Sequence, residues 1–204
     1  MPQQIKYERI FWLEDNPEFL GYFQGIADSQ HIPIDLVNLL NRTTFAYDHE
    51  MGREIILREH PFDLYVLDAD IPRSLSILRR ELLSDFIEKI KEQQSAQLPF
   101  IEAGPGQSYF IDFWEELLKD RTGQAKVVVF SANLDAQVDA YQRELPFYSK
   151  RFTGWNERAG IINWVGKRQR FCKRPITPED LAAWECGGII DLLKNHLALQ
   201  EPSR

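Results

Sequence analysis

The groups in this sequence that could do chemistry together stand at the ends of apolar runs. Glu14 and Asp15 close "RIFWL" (9–13), Asp68 and Asp70 close "DLYVL" (63–67), Ser131 follows "KVVVF" (126–130), and Lys150 ends "PFYSK" (146–150). Short apolar runs bounded by turn signals are buried strands, so each polar group is expected at a strand's carboxyl end. That rim is where open α/β sheets bind their ligands. Three carboxylates gathered there hold a hard divalent cation through oxygen, most naturally Mg²⁺. One carboxylate can attack phosphorus while the cation, an ammonium and a hydroxyl neutralise charge on the transferring oxygens. An acid-tipped strand alone leaves three chemistries open: a phosphorylatable aspartate, a metal-dependent phosphatase, or a metal-binding glycosyltransferase.

The elements that must position these groups alternate along the chain. Asn16 and Pro17 open a helix running towards Gln30. "PIDLVNLL" (33–40) reads as a second strand, and "DHEMGREIILRE" (48–59) carries Met51, Ile55 and Ile56 at helical spacing. After Pro72, Leu75, Leu78, Leu82, Phe86 and Ile90 repeat at helical intervals. Asp135 opens a helix bearing Val138, Tyr141 and Leu145, and Thr177-Pro178-Glu179-Asp180 opens a last one running towards Leu199, with Gly187-Gly188 as a bend. Strands alternating with helices predict a doubly wound, five-stranded parallel sheet covered on both faces. Between Pro72 and Lys126 lie 53 residues, against the roughly 20 to 25 that one helix and two loops need. The surplus predicts an insert, about 95–122, containing the loop "EAGPGQSY" (102–109) and the amphipathic "FIDFWEELL" (110–118). It leaves the sheet after the Asp68 strand, so it is expected near the rim as a lid. "GPGQS" lacks the lysine of a phosphate-cradling loop.

Composition bounds the rest. A chain of 204 residues with 44% hydrophobic and 27% charged residues matches one globular domain with insertions, and no apolar stretch approaches the ~20 residues of a membrane helix. The first ten residues lack a signal-peptide pattern, and Cys172 and Cys186 form no metal or redox spacing, so a reducing cytoplasm is expected. His31, His49, His60 and His196 are scattered, unlike a histidine-built zinc site. The net charge of −7 argues against a nucleic-acid coat. Its distribution qualifies that, because residues 150–174 hold eight Lys or Arg against one acid, Glu157.

"IFWLEDNPEF", "YVLDADIP", "VVVFSAN" and "FYSKRF" together resemble the receiver domain of two-component response regulators: first strand with its acid pair, phosphoacceptor strand, hydroxyl strand and lysine strand. The resemblance covers most of 8–71 and 125–155 and implies a flavodoxin-like fold, with a receiver-like domain over 1–155. Residues 156–204 are left as a helical C-terminal extension, or as completion of that fold. It further implies Mg²⁺ held by Glu14, Asp15 and Asp68 with the backbone near Asp70, phosphorylation of Asp68, and Ser131 and Lys150 gripping the phosphoryl group. Phe147 would be the ring that follows Ser131. The implied partners are a histidine kinase or phosphotransfer protein and a downstream protein, with a homodimer also compatible. One departure is Arg151, where the family usually has proline. Another is a competing register in "FCKRPITPEDL" (171–181), which offers Lys173 or Arg174 as the lysine; the spacing from Ser131 favours Lys150.

Two rivals share parts of the pattern. Asp68-Ala69-Asp70 resembles the paired aspartates of haloacid dehalogenase-type phosphatases, although Glu14-Asp15 has no role there and the acid pair due after the lysine is missing. "GKRQRFCKR" (166–174) offers a nucleotide or nucleic-acid-binding module, with phosphate contacts and stacking on Phe171.

Overall fold

All four residues of Ile10–Leu13 are buried, and so are all four of Leu64–Leu67, as in strands covered on both faces. The computed structural model describes residues 4–94, 96–98, 110–133, 135–151, 157–168 and 176–200. Its main sheet is built from β2 (Ile10–Leu13), β3 (Thr43–Ala46), β4 (Leu64–Leu67), β5 (Lys126–Ser131), β6 (Phe147–Ser149) and β7 (Cys186–Gly188). They lie in the order β3-β2-β4-β5-β6-β7, and every neighbouring pair is parallel. A separate antiparallel pair joins β1 (Gln4–Ile5) to β8 (Leu199–Gln200). The molecule is thus an α/β protein with an open sheet of six parallel strands. The five-strand expectation falls short by β7.

Side chains alternate between the two faces with the period of a strand. Phe11, Leu13, Tyr65, Leu67, Val127, Val129 and Phe147 join one core with residues of α3 (His49–Glu59), α5 (Phe110–Phe113), α6 (Asp135–Gln142), α7 (Glu157–Lys167) and α8 (Pro178–Ala183). Ile10, Trp12, Leu64, Val66, Val128, Phe130 and Tyr148 join the other, with residues of α1 (Leu20–Ser29), α2 (Leu36–Asn41), α4 (Ile77–Lys91) and α9 (Ile189–Leu192).

Right-handed crossovers explain this division. The chain moves from β3 through β4, β5 and β6 to β7 with its connecting helices on the first face, and it steps back from β2 to β3 with α1 and α2 on the second. On that rule α5 is the helix that closes the β4–β5 crossover, and α4 is the additional one, laid on the opposite face beside α2. The segment read as an insert near the rim, about 95–122, therefore supplies the crossover helix α5. Its described part, α5 and the π-helical turn Trp114–Leu118, is packed into the core, where Phe113 stacks on Phe11 at 6.0 Å between ring centroids. The loop at 102–109 lies outside the described residues. On α4 the buried side is Leu83, Phe86 and Ile87, while Leu78 from the expected stripe is exposed.

Two other readings change. The run expected as a strand over 33–40 is mostly helix: the Asp35 side chain accepts a hydrogen bond from the Asn38 amide at 3.0 Å and caps α2. The strand follows at Thr43–Ala46, where two β-branched residues and a phenylalanine suit a pleated surface. Thr177 caps as expected, accepting from the Asp180 amide at 3.0 Å, but α8 stops at Ala183 and Gly187-Gly188 belong to β7 instead of bending a helix. Among the described residues no helix is long and apolar enough to cross a membrane.

Candidate functional site

The site grows from the carboxyl ends of β2, β4, β5 and β6. Because these strands are parallel and in register, the residue following each emerges at the same rim. Glu14 and Asp15 follow β2, Asp68 follows β4, Ser131 ends β5 and Lys150 follows β6. Glu14, Asp15 and Asp68 each offer a carboxylate oxygen within 4.8 Å of the others'. The Lys150 ammonium lies 2.5 Å from Glu14 Oε2 and also pairs with Asp68 Oδ2.

The local sequence fixes each group. The backbone amide of Asp68 donates to the Leu13 carbonyl at 2.9 Å, and that of Glu14 to the Ala46 carbonyl at 2.8 Å, so the sheet ladder runs into the site. Glu14 is fully buried; its Oε1 accepts from the Asn16 amide at 3.1 Å. Asp68 Oδ1 accepts from the Ala69 amide at 2.6 Å. The Lys150 amide donates to the Ser131 carbonyl at 3.1 Å, and its ammonium rests over the rings of Phe19 and Phe130, 5.2 and 5.5 Å from their centroids. Ser131 is buried, and its Oγ accepts from the Asn133 amide at 3.1 Å.

Charge explains the site's chemistry. Three carboxylates against one ammonium carry a formal charge of −2, and isolated charge is costly where water is excluded. Burial pushes Glu14 well above the usual carboxylate range, opposed by Lys150 and reinforced by Asp68. Burial, then the charge of Asp68, pushes Asp15 up to about 6. Burial alone would lower Lys150, but Asp68 and Glu14 outweigh it and raise the ammonium above its ordinary value. The site thus lacks positive charge, and a divalent cation matches the deficit. The oxygen-only donors suit Mg²⁺, with Glu14, Asp15 and Asp68 as the residues that would hold it.

Not every expected residue joins this set. The Asp70 carboxylate is outside the three-acid group: its Oδ1 accepts from Asn133 Nδ2 at 2.9 Å, which turns it towards the β5–α6 loop. Phe147 is buried in the first-face core, 6.5 Å from the ring of Trp184. Lys173 and Arg174, the competing cations, lie outside the described residues, as does Phe171.

Three further contributors carried no signal in the sequence, and a fourth, Arg151, was visible only as a departure from the receiver pattern. Asn133 stands two residues after Ser131 and links the β5 end to Asp70. Phe19, placed by the turn that Pro17 opens, forms part of the floor under Lys150. Arg79, near the start of α4, contributes positive charge at Asp15. The Arg151 amide donates to Ser149 Oγ at 3.2 Å and its Nε to the Ala132 carbonyl at 3.1 Å.

The chain matches no family model and no curated protein.

Proposed function

We propose that this is a receiver-like signalling protein of flavodoxin-like fold, phosphorylated on Asp68 in a Mg²⁺-dependent reaction and acting through phosphorylation-dependent protein contact or a phosphorelay. The observation that supports it most is Lys150 joining Glu14 and Asp68 beside Asp15 at a single strand-end rim.

The chain's own residues suit each part of the reaction. Asp68 sits at the end of a fully buried strand and its Oδ1 is held by a backbone amide, so its attack needs little reorganisation. An Asp68 oxygen forms a bond to phosphorus; the bond from phosphorus to the donor's leaving group breaks, and that group departs with the electron pair. Lys150 transfers its contact from the Asp68 carboxylate to a phosphoryl oxygen. The Ser131 hydroxyl, at the end of the neighbouring strand, donates to a second. Mg²⁺, when bound by Glu14, Asp15 and Asp68, supplies charge neutralisation to the transferring oxygens. Asp68 is already a carboxylate in that state, so no dedicated base is required. The phosphodonor is proposed to be a histidine kinase or phosphotransfer protein, and a small acyl phosphate serves as its test substitute. Incubation with acetyl phosphate and Mg²⁺ should give one acid-stable, base-labile adduct, absent in Asp68→Asn.

A further inference from the structure

Beside the acidic site an open cleft of about 510 Å³ lies between the loop after β5 and helix α7. Its size is within the range of small-molecule sites, and its lining has three kinds of group. Arg151 donates from its Nε to the Ala132 carbonyl at 3.1 Å; among the described residues no carboxylate pairs with it. Trp164 offers an indole, with the Arg168 guanidinium 4.6 Å from its centroid. Asp70 and Asp135 are the acids, and both are partly compensated: Asn133 donates to Asp70 at 2.9 Å, and Arg168 lies 3.4 Å from Asp135.

Those three groups match the three parts of one ligand class. A guanidinium fork recognises phosphate, an indole backed by a guanidinium stacks a base, and carboxylate oxygens accept the hydroxyls of a ribose. Inorganic phosphate would use the first alone. We propose that this cleft binds a nucleoside phosphate, with Arg151 on the phosphate, Trp164 under the base, and Asp70 and Asp135 towards the ribose. Arg151 directly follows Lys150, so an occupied cleft touches the loop that carries the site's lysine. The inference does not require phosphorylation of Asp68.

Calorimetric titration of the full chain with adenosine 5′-monophosphate tests it, with adenosine and inorganic phosphate as separate arms. The nucleotide should bind saturably, and each fragment about tenfold or more weaker, because each forfeits one charge-assisted or stacking contact. Arg151→Ala should weaken the nucleotide by at least about tenfold while leaving adenosine unchanged. Trp164→Leu should weaken the nucleotide and adenosine alike, and Trp164→Phe should restore most of the loss. Asp68→Asn, which takes no phosphoryl group, should still bind the nucleotide. Nucleotide binding without an Asp68 adduct would overturn the phosphorylation reading and leave this one standing. An adduct without saturable nucleotide binding, or nucleotide affinity unchanged in folded Arg151→Ala, would overturn this one.

Discussion

Lys150 shows at the scale of a residue how the site is balanced. Its ammonium pairs with two buried acids at once, so removing it leaves still more uncompensated charge where water is scarce. Lys150→Ala should therefore lower stability by about 3 kcal/mol or more, measured by urea denaturation without added cation. The remaining deficit of positive charge predicts a response to metal. Millimolar Mg²⁺ should raise the melting temperature through linkage, and Asp15→Ala should remove most of the rise; an unchanged melting temperature in the wild type would contradict the metal set. Glu14, Asp15, Asp68, Ser131 and Lys150 were legible because apolar runs ending in polar groups specify a strand end without help from the rest of the fold. The contact of the Asp70 carboxylate was not legible, for a related reason. Its pairing with Asn133 depends on how two loops meet, and no spacing within either loop reports that.

At the scale of elements, strands buried on both faces were easy to read, while short or glycine-containing ones were not. Thr43–Ala46 was hidden behind the apolar residues of α2, whose spacing satisfies either a helix or a strand until the Asp35 cap is weighed. Cys186–Gly188 has almost no side-chain signal, and its glycines read as a helix bend. Packing explains Gly187: a Cβ there would stand 2.3 Å from Asp191 Oδ2. Asp191 in turn accepts from the Gly188 amide at 3.0 Å and caps α9. Gly187→Ala should therefore displace the cap and destabilise the protein by about 1 to 3 kcal/mol, read as a lower urea midpoint with little change in slope. A midpoint at or above wild type would show that α9 does not depend on this approach.

At the scale of the whole molecule, the parallel sheet separates two polar centres. The acidic site occupies the carboxyl rim. Towards the amino rim, Glu185 precedes β7 and accepts from Tyr148 at 2.6 Å and Lys126 at 2.6 Å, with His196 Nε2 at 2.8 Å. This network joins strands β5 and β6 to the final helical segment, within the residues 156–204 that the sequence left open as an extension or as completion of the fold. The hydrogen bond from His196 is the foremost reason that the Glu185 carboxyl sits far below its usual range, followed by Lys126 and Tyr148 against the opposing effect of burial. A depressed carboxyl contributes stability above its unfolded value of about 4.3, and that contribution is lost as pH falls further. Wild-type stability should thus decline from about pH 4.3 downwards more steeply than that of Glu185→Gln, in melting curves recorded between about pH 6 and 3. Parallel curves would mean that the network does not tie the C-terminal segment to the sheet. The division of helices between faces was likewise invisible in the sequence, because α4 and α5 are both amphipathic and only the handedness of the crossover assigns one to each side.

Asp68 should accept a phosphoryl group, and intact-mass spectrometry after incubation with acetyl phosphate and Mg²⁺ reads that event itself. The wild type should carry a single phosphoryl adduct, dependent on Mg²⁺, released by base and absent in Asp68→Asn, with Lys150→Ala reducing it far more than Lys173→Ala. Identical spectra for wild type and Asp68→Asn, with no adduct in either, would contradict it.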